Sequence, residues 1–191
     1  SLQDMFRQSI FNQPVGNWNV SNVKNMNSMF LQNSSFNQPI GNWDVSNVTE
    51  TEYMFYEAQL FNQPIRNWNV SKVSTFDQMF NSATEFLNYY GISETPDPAF
   101  WTPFTNETLK SALDEYWPNE ATEPVESVRQ KYGYIGTWDV SQVNYMWYLF
   151  ERKDKFNEDI SNWNVSNVID MQSMFQWCRN FNRNLNTWDV S

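Results

Sequence analysis

Residues 36–48 read Phe36-Asn37-Gln38-Pro39-Ile40-Gly41-Asn42-Trp43-Asp44-Val45-Ser46-Asn47-Val48, and the stretch runs on to Met54-Phe55. It recurs. Trp18, Trp43 and Trp68 follow one another at about 25 residues, as do Trp138, Trp163 and Trp188, a period that signals stacked structural units. Each unit divides into three parts. Ile40, Trp43 and Val45 alternate with polar residues and predict a short strand. Ser46, like Ser21 and Ser71, stands where a helix N-cap belongs. From Ser21 the apolar residues Val23, Met26, Met29 and Phe30 share one helical face. The Phe-Asn-Gln-Pro run is then a return loop whose proline fixes the corner.

A strand this short and a helix of about two turns are marginal alone, so the units must stack to bury a core. Stacking predicts one ladder of Trp18, Trp43 and Trp68 and another of Phe30, Phe55 and Phe80. A Trp43→Ala change is then expected to cost several kcal/mol. The expected fold is a right-handed α/β repeat solenoid, leucine-rich-repeat-like, with short parallel strands on one face and short helices on the other.

The pattern divides the chain. Residues 1–90 carry a first array, the end of a longer solenoid. Residues 91–104 read as a turn-rich linker containing Pro96 and Pro98. In 105–134, Thr105 or Asn106 caps a helix with Leu109, Ala112, Leu113, Tyr116 and Trp117 on one face. A second helix starts near Pro124 and ends at Gly133. The repeat resumes at Ile135 and breaks off inside a unit at Ser191, giving a second, truncated array at 135–191. The helical segment is read as the cap of that second array. The alternative is an insertion in one continuous array. Because the chain opens and closes inside a unit, a longer parent chain is expected.

The chain has 191 residues, 40% hydrophobic and 18% aromatic, with a net charge of −10, no histidine and one cysteine. The aromatic excess places rings where leucines serve elsewhere. Acidity without a basic patch argues against nucleic acid; the densest basic cluster, Arg152, Lys153 and Lys155, is interrupted by Asp154. No apolar run reaches the ~20 residues of a membrane span, so no membrane insertion is expected within this segment. No histidine, phosphate-binding glycine loop or paired cysteine is present, so no enzyme, cofactor or metal is expected. Cys178 aligns with Ala58 and Ala83 and reads as a buried structural thiol. Asp114-Glu115 and Glu120 with Glu123 read as a solvated helix face. Tyr89, Tyr90, Phe100, Trp101 and Phe104 either pack the cap onto the preceding coil or anchor a partner.

The motif Phe-Asn-Gln-Pro-Ile…Trp-Asp-Val-Ser-Asn-Val…Met-Phe resembles the 25-residue repeat of BspA-like surface proteins. The likeness covers nearly all of 1–90 and 135–191, and Phe104 through Ser141 resembles the helical segment that opens such arrays. Thr51 and Phe76 replace the repeat's methionine, and Asn157-Glu158-Asp159 and Asn182-Arg183-Asn184 replace Asn-Gln-Pro. The resemblance implies extracellular or cell-surface proteins used in adhesion and protein binding, and it implies no catalytic residues.

The row between Trp and Val, namely Asn19, Asp44, Asn69, Asp139, Asn164 and Asp189, is the candidate binding face. It points out of the expected sheet and would meet a protein, a glycan or Ca²⁺. The competing reading is a soluble face hydrogen-bonded along the ladder. Asn33, Asn47 and Asn106 lie in sequons and are possible glycan acceptors if the chain is secreted. The expected function is a non-catalytic, surface-exposed interaction or adhesion module of a larger extracellular protein, with a protein or glycan as ligand. The alternative is a structural spacer of a filament, surface layer or virion, contacting neighbouring subunits.

Overall fold

The helix expected to start at the Ser21 cap and run through Phe30 does not form; residues 26–33 are a run of turns. The amides of Met29, Leu31 and Asn33 donate locally to the carbonyls of Met26, Ser28 and Phe30. The amides of Met26, Ser28, Phe30 and Gln32 donate instead to Glu50, Glu52, Met54 and Tyr56 in the next coil, at 2.6–2.9 Å. Asn27 completes the set by donating to the Asn25 side chain. Every amide from 26 to 33 is therefore satisfied, half of them across the stack, as buried backbone requires. The turns need left-handed corners, which fall at Ser28 (φ 55°) and Gln32 (φ 56°). The same pair recurs at Tyr53 and Glu57, Gln78 and Ser82, Tyr148 and Arg152, and Ser173 and Trp177.

The computed structural model describes residues 1–118 and 124–191; Glu120 and Glu123 lie outside the described residues. It resolves into two units, Ser1–Trp101 and Thr102–Ser191, each with its own buried core. Among the described residues the regular elements are helices α1 (Thr84–Tyr90), α2 (Asn106–Tyr116) and α3 (Glu126–Tyr132), with 3₁₀ turns at Pro98–Trp101 and Ile135–Thr137. No strand forms there. Parallel pairing is confined to two isolated bridges, Asn25 with Glu50 and Tyr145 with Asp170. This corrects the expected leucine-rich-repeat-like α/β solenoid, because neither its parallel sheet nor its row of helices is found among the described residues. Consecutive turns also place apolar side chains three and four residues apart, so the helical spacing of Met26, Met29 and Phe30 was ambiguous. The stretch read as a strand is likewise a pair of turns, closed by Trp43 donating to Ile40 and Val48 donating to Val45.

Inside the coils the aromatic ladders are present. Phe30, Phe55 and Phe80 stack at 5.6 Å between neighbours. Phe36, Phe61 and Phe86 make a second column at 6.1 and 5.5 Å. Trp43 and Trp68 lie parallel at 6.4 Å, whereas Trp18 is over a third exposed and leans on Phe6. Three buried indoles also donate backward, to the coil before. Trp43 Nε1 reaches the Val15 carbonyl (3.0 Å), Trp68 reaches Ile40 (3.2 Å) and Trp163 reaches Ile135 (2.8 Å). The ring thus buries apolar area without stranding its N–H.

The return loop is a ladder of its own. Asn12 Oδ1 accepts from the Asn37 amide, Asn37 Oδ1 accepts from the Asn62 amide, and Gln38 and Gln63 donate to the same asparagines. Asn157 and Arg183 take these roles in the second unit, so losing the proline does not break the contact.

The first unit closes with α1, which ends at left-handed Gly91, and with the 3₁₀ turn behind it. Trp101 stacks on Phe76 at 4.5 Å and Phe100 meets Phe86 edge-on. Of the rings read as possible anchors, only Tyr89 is exposed; the others are buried. In the second unit α2 starts from Thr105, which forms a capping box with Thr108, and buries Leu109, Ala112, Leu113 and Tyr116. Phe104 and Tyr116 pack on Trp138, and Trp117 packs on Phe156.

Coil spacing is set where backbones touch. A Cβ on Gly41 would lie 2.4 Å from the Pro64 carbonyl oxygen, and one on Gly16 would lie 2.6 Å from that of Pro39. Neither glycine has a positive φ, so close approach alone demands it. Gly41→Ala is expected to destabilise the protein by about 1–3 kcal/mol, the usual range for overpacking. Urea denaturation measures this, and an unchanged midpoint would show that the coils can slide apart freely.

Candidate functional site

The polar row read from the sequence is exposed at Asn19, Asp44, Asn69, Asn164 and Asp189 and half-buried at Asp139. Its oxygens are already engaged. Asp44 Oδ1 accepts from the Ser46 amide (3.1 Å) and hydroxyl (2.6 Å). Asn19, Asn164 and Asp189 hold Ser21, Ser166 and Ser191 in the same two ways, and Asn69 and Asp139 accept from the amides of Ser71 and Ser141. The serines are thus the second half of a side-chain turn, a correction to their reading as helix N-caps. Among the described residues no group of three or more His, Cys, Asp or Glu side chains is placed to hold a metal.

The sequon residues also divide. Asn33 is buried; its Nδ2 donates to Ser9 Oγ and the Phe11 carbonyl, and its Oδ1 accepts from the amides of Ser35 and Phe36. A glycan there is incompatible with the folded coil, which corrects Asn33 as an acceptor. Asn47 Nδ2 donates to the Ser21 carbonyl. Asn106 is exposed and its Oδ1 accepts from the amides of Asn144 and Tyr145.

The turn faces of the two units differ in chemistry. In the first unit half-buried polar groups satisfy one another, and Tyr53 is the one large ring exposed among these turn positions. Asn25 and Asn27 donate to Glu50, Asn27 also to Glu52, and Gln32 to Glu57. In the second unit the corresponding positions hold Tyr145, Trp147, Tyr148, Arg152 and Trp177. Trp147 is 60% exposed and Trp177 56%. Tyr148, Arg152 and Trp177 occupy left-handed corners with φ of 52°, 61° and 62°, where a bulky side chain is disfavoured. Large rings placed there, facing solvent, gain nothing from the core. Sequence reasoning missed this face, although comparing Trp147 with Asn27, Glu52 and Asp77 at the same place in the unit reveals it.

Arg152 borders two cavities. One, of about 400 Å³, is lined by Arg152, Asp154, Trp177 and Arg179. The other, of about 720 Å³, is lined by Lys110, Asp114, Pro118, Tyr148, Glu151 and Arg152. Beneath the second lies Lys153, 1% exposed, whose Nζ donates to Asp114 Oδ1 (3.0 Å) and the Trp117 carbonyl (2.7 Å). Burial pushes the Lys153 ammonium below its usual range, and Asp114 works against that. Partial burial favours a neutral Asp114, but Lys153 and Lys110 outweigh it and hold the carboxyl low. Cys178 donates to the Lys153 carbonyl, and burial pushes its thiol up to about 11, so it is almost wholly protonated at neutral pH.

A family model described as "Mycoplasma protein of unknown function, DUF285" matches residues 1–92 and 121–191. The chain belongs to this family. The DUF285 match includes the turn face of the second unit and leaves out α2, whose Asp114 pairs with Lys153. No curated protein and no solved structure matches the chain significantly.

Two outcomes follow from these contacts. The Ser46 hydrogen bonds hold the Asp44 carboxyl below the usual range. A depressed carboxylate stabilises the fold above its unfolded pKa, and that stability is lost as pH falls through the folded value. Asp44→Asn keeps the turn, as Asn19 and Asn164 do, so melting at pH 7 should be unchanged and the fall in Tm below about pH 4 should be smaller than in the wild type. Asp114→Ala should destabilise the protein by about 1–3 kcal/mol, less than a fully buried pair because Asp114 is half-exposed. Lys153→Met should cost less, because no charge is left stranded. Urea denaturation of both variants checks the order.

Proposed function

We propose that this chain is a non-catalytic interaction and adhesion module of a larger cell-surface or extracellular protein, working through the turn face of its second unit. The observation that carries this reading is the exposure of Trp147, Tyr148 and Trp177 on one face, the last two on left-handed backbone corners that disfavour them. Trp, Tyr and Arg are the residues most enriched among those that dominate binding energy at interfaces, and here they stand together on one face. The resemblance to BspA-like surface proteins, carried by the Phe-Asn-Gln-Pro and Trp-Asp-Val-Ser runs, supports the same assignment. A protein or glycan is the partner class. The net charge of −10 disfavours nucleic acid. No helix among the described residues is long and apolar enough to cross a membrane.

A second reading, a structural spacer contacting neighbouring subunits in a filament, surface layer or virion, is favoured by the first unit. Its amides and carboxylates are paired with one another along the stack, which leaves little for a ligand.

Adhesion assays on beads separate the two. Beads coated with the protein should adhere to cell or extracellular-matrix surfaces, and a Trp147→Ala/Trp177→Ala variant should lose at least tenfold of that adhesion while keeping its circular dichroism. Equal adhesion by the variant would remove the aromatic face from the reading and leave the spacer.

A further inference from the structure

We infer that the cavity between Arg152 and Arg179 binds a carboxylated sugar, a ligand class that rests on the interaction reading above. The cavity of about 400 Å³ is the size of a small-molecule site, and its four lining residues supply three kinds of contact. Trp177 offers an exposed ring, suited to the C–H face of a pyranose. Arg152 and Arg179 offer guanidinium donors, which bind carboxylates in paired hydrogen bonds. The Arg179 guanidinium carbon lies 5.9 Å from the centroid of the Trp177 ring, so charge and ring adjoin.

Asp154 supplies the third contact. Its Oδ1 is buried and has no hydrogen-bond partner. A buried unpaired acceptor is uncommon in a folded protein and asks for a donor from outside. A sugar hydroxyl donates to that oxygen, whereas a carboxylate alone cannot. Acetate therefore satisfies the arginines and leaves Asp154 unmet. A neutral hexose satisfies Asp154 and Trp177 and brings no carboxylate to Arg179 or to Arg152, whose one ion pair among the described residues is an exposed contact to Glu151 at 3.6 Å. A sugar acid answers all four residues. Arg152 also borders the cavity of about 720 Å³ beside Tyr148 and Lys110, which leaves room for a further residue of an acidic glycan.

Tryptophan fluorescence of the full chain titrated with glucuronate tests the inference, with Trp177→Phe identifying the signal. The expected result is saturable binding to glucuronate, with acetate and glucose each at least tenfold weaker. Arg179→Gln and Arg152→Gln, both at exposed positions, should each weaken glucuronate at least tenfold. Acetate binding as tightly as glucuronate, or arginine variants that bind it like the wild type, would overturn the assignment. If glucuronate does not bind while bead adhesion still depends on Trp147 and Trp177, the cavity assignment falls and the interaction reading stands. If glucuronate binds as expected while beads do not adhere, the reverse holds.

Discussion

The structure depends on how one coil's backbone amides are shared between itself and the next. In residues 26–33 the donors alternate between a local acceptor, a carbonyl three residues back or for Asn27 the Asn25 side chain, and a carbonyl one coil ahead. Neither set suffices alone. A coil without its neighbour would leave half of these amides without a protein acceptor and its apolar side chains in water. The same sharing explains the left-handed corners, since the chain must reverse every four residues to keep its inward side chains over the phenylalanine columns.

Much of this was legible in the sequence, but not its secondary structure. The spacing of Trp43 and Trp68, and of Phe30, Phe55 and Phe80, correctly placed stacked ladders. The helix starting at Thr105 and the buried state of Cys178 were legible for the same reason, because each follows from local chemistry or from alignment between units. The coil itself was misread. Met26, Met29 and Phe30 fit a helical face and a run of turns equally well, and only the cross-coil bonds decide between them. Those bonds join residues some 24 apart, which no local pattern records. Helix α1 was missed because Thr84–Tyr90 begins like the next return loop, with Phe86 where a Phe-Asn-Gln-Pro run would start.

The candidate site was less legible. The Asn and Asp row drew attention because it recurs, yet recurrence marks what every coil needs, and those oxygens close turns onto Ser21, Ser46 and their counterparts. The residues that set this chain apart are the ones that break the pattern. Tyr145, Trp147 and Trp177 stand where the other coils carry only polar or charged residues, such as Asn25, Glu52 and Ser82. Lys153 stands where others carry Asn33, Ala58, Ala83 or Cys178, and its ammonium ties the second unit's first coil to α2.

The indoles have a consequence for how the molecule is made. Alternate amides of the turn run, such as those of Met26, Ser28, Phe30 and Gln32, donate to the coil that follows, while Trp43, Trp68 and Trp163 donate to the coil that precedes, each across 28 residues. A newly made coil therefore meets a template that already offers amide donors for its carbonyls, a carbonyl acceptor for its indole and a ring to stack on. Its loop to close is one coil long, however many coils came before. Closure entropy depends on that separation and not on the length of the whole chain. Such a stack can lengthen by adding identical steps, each with the same kinetic hurdle.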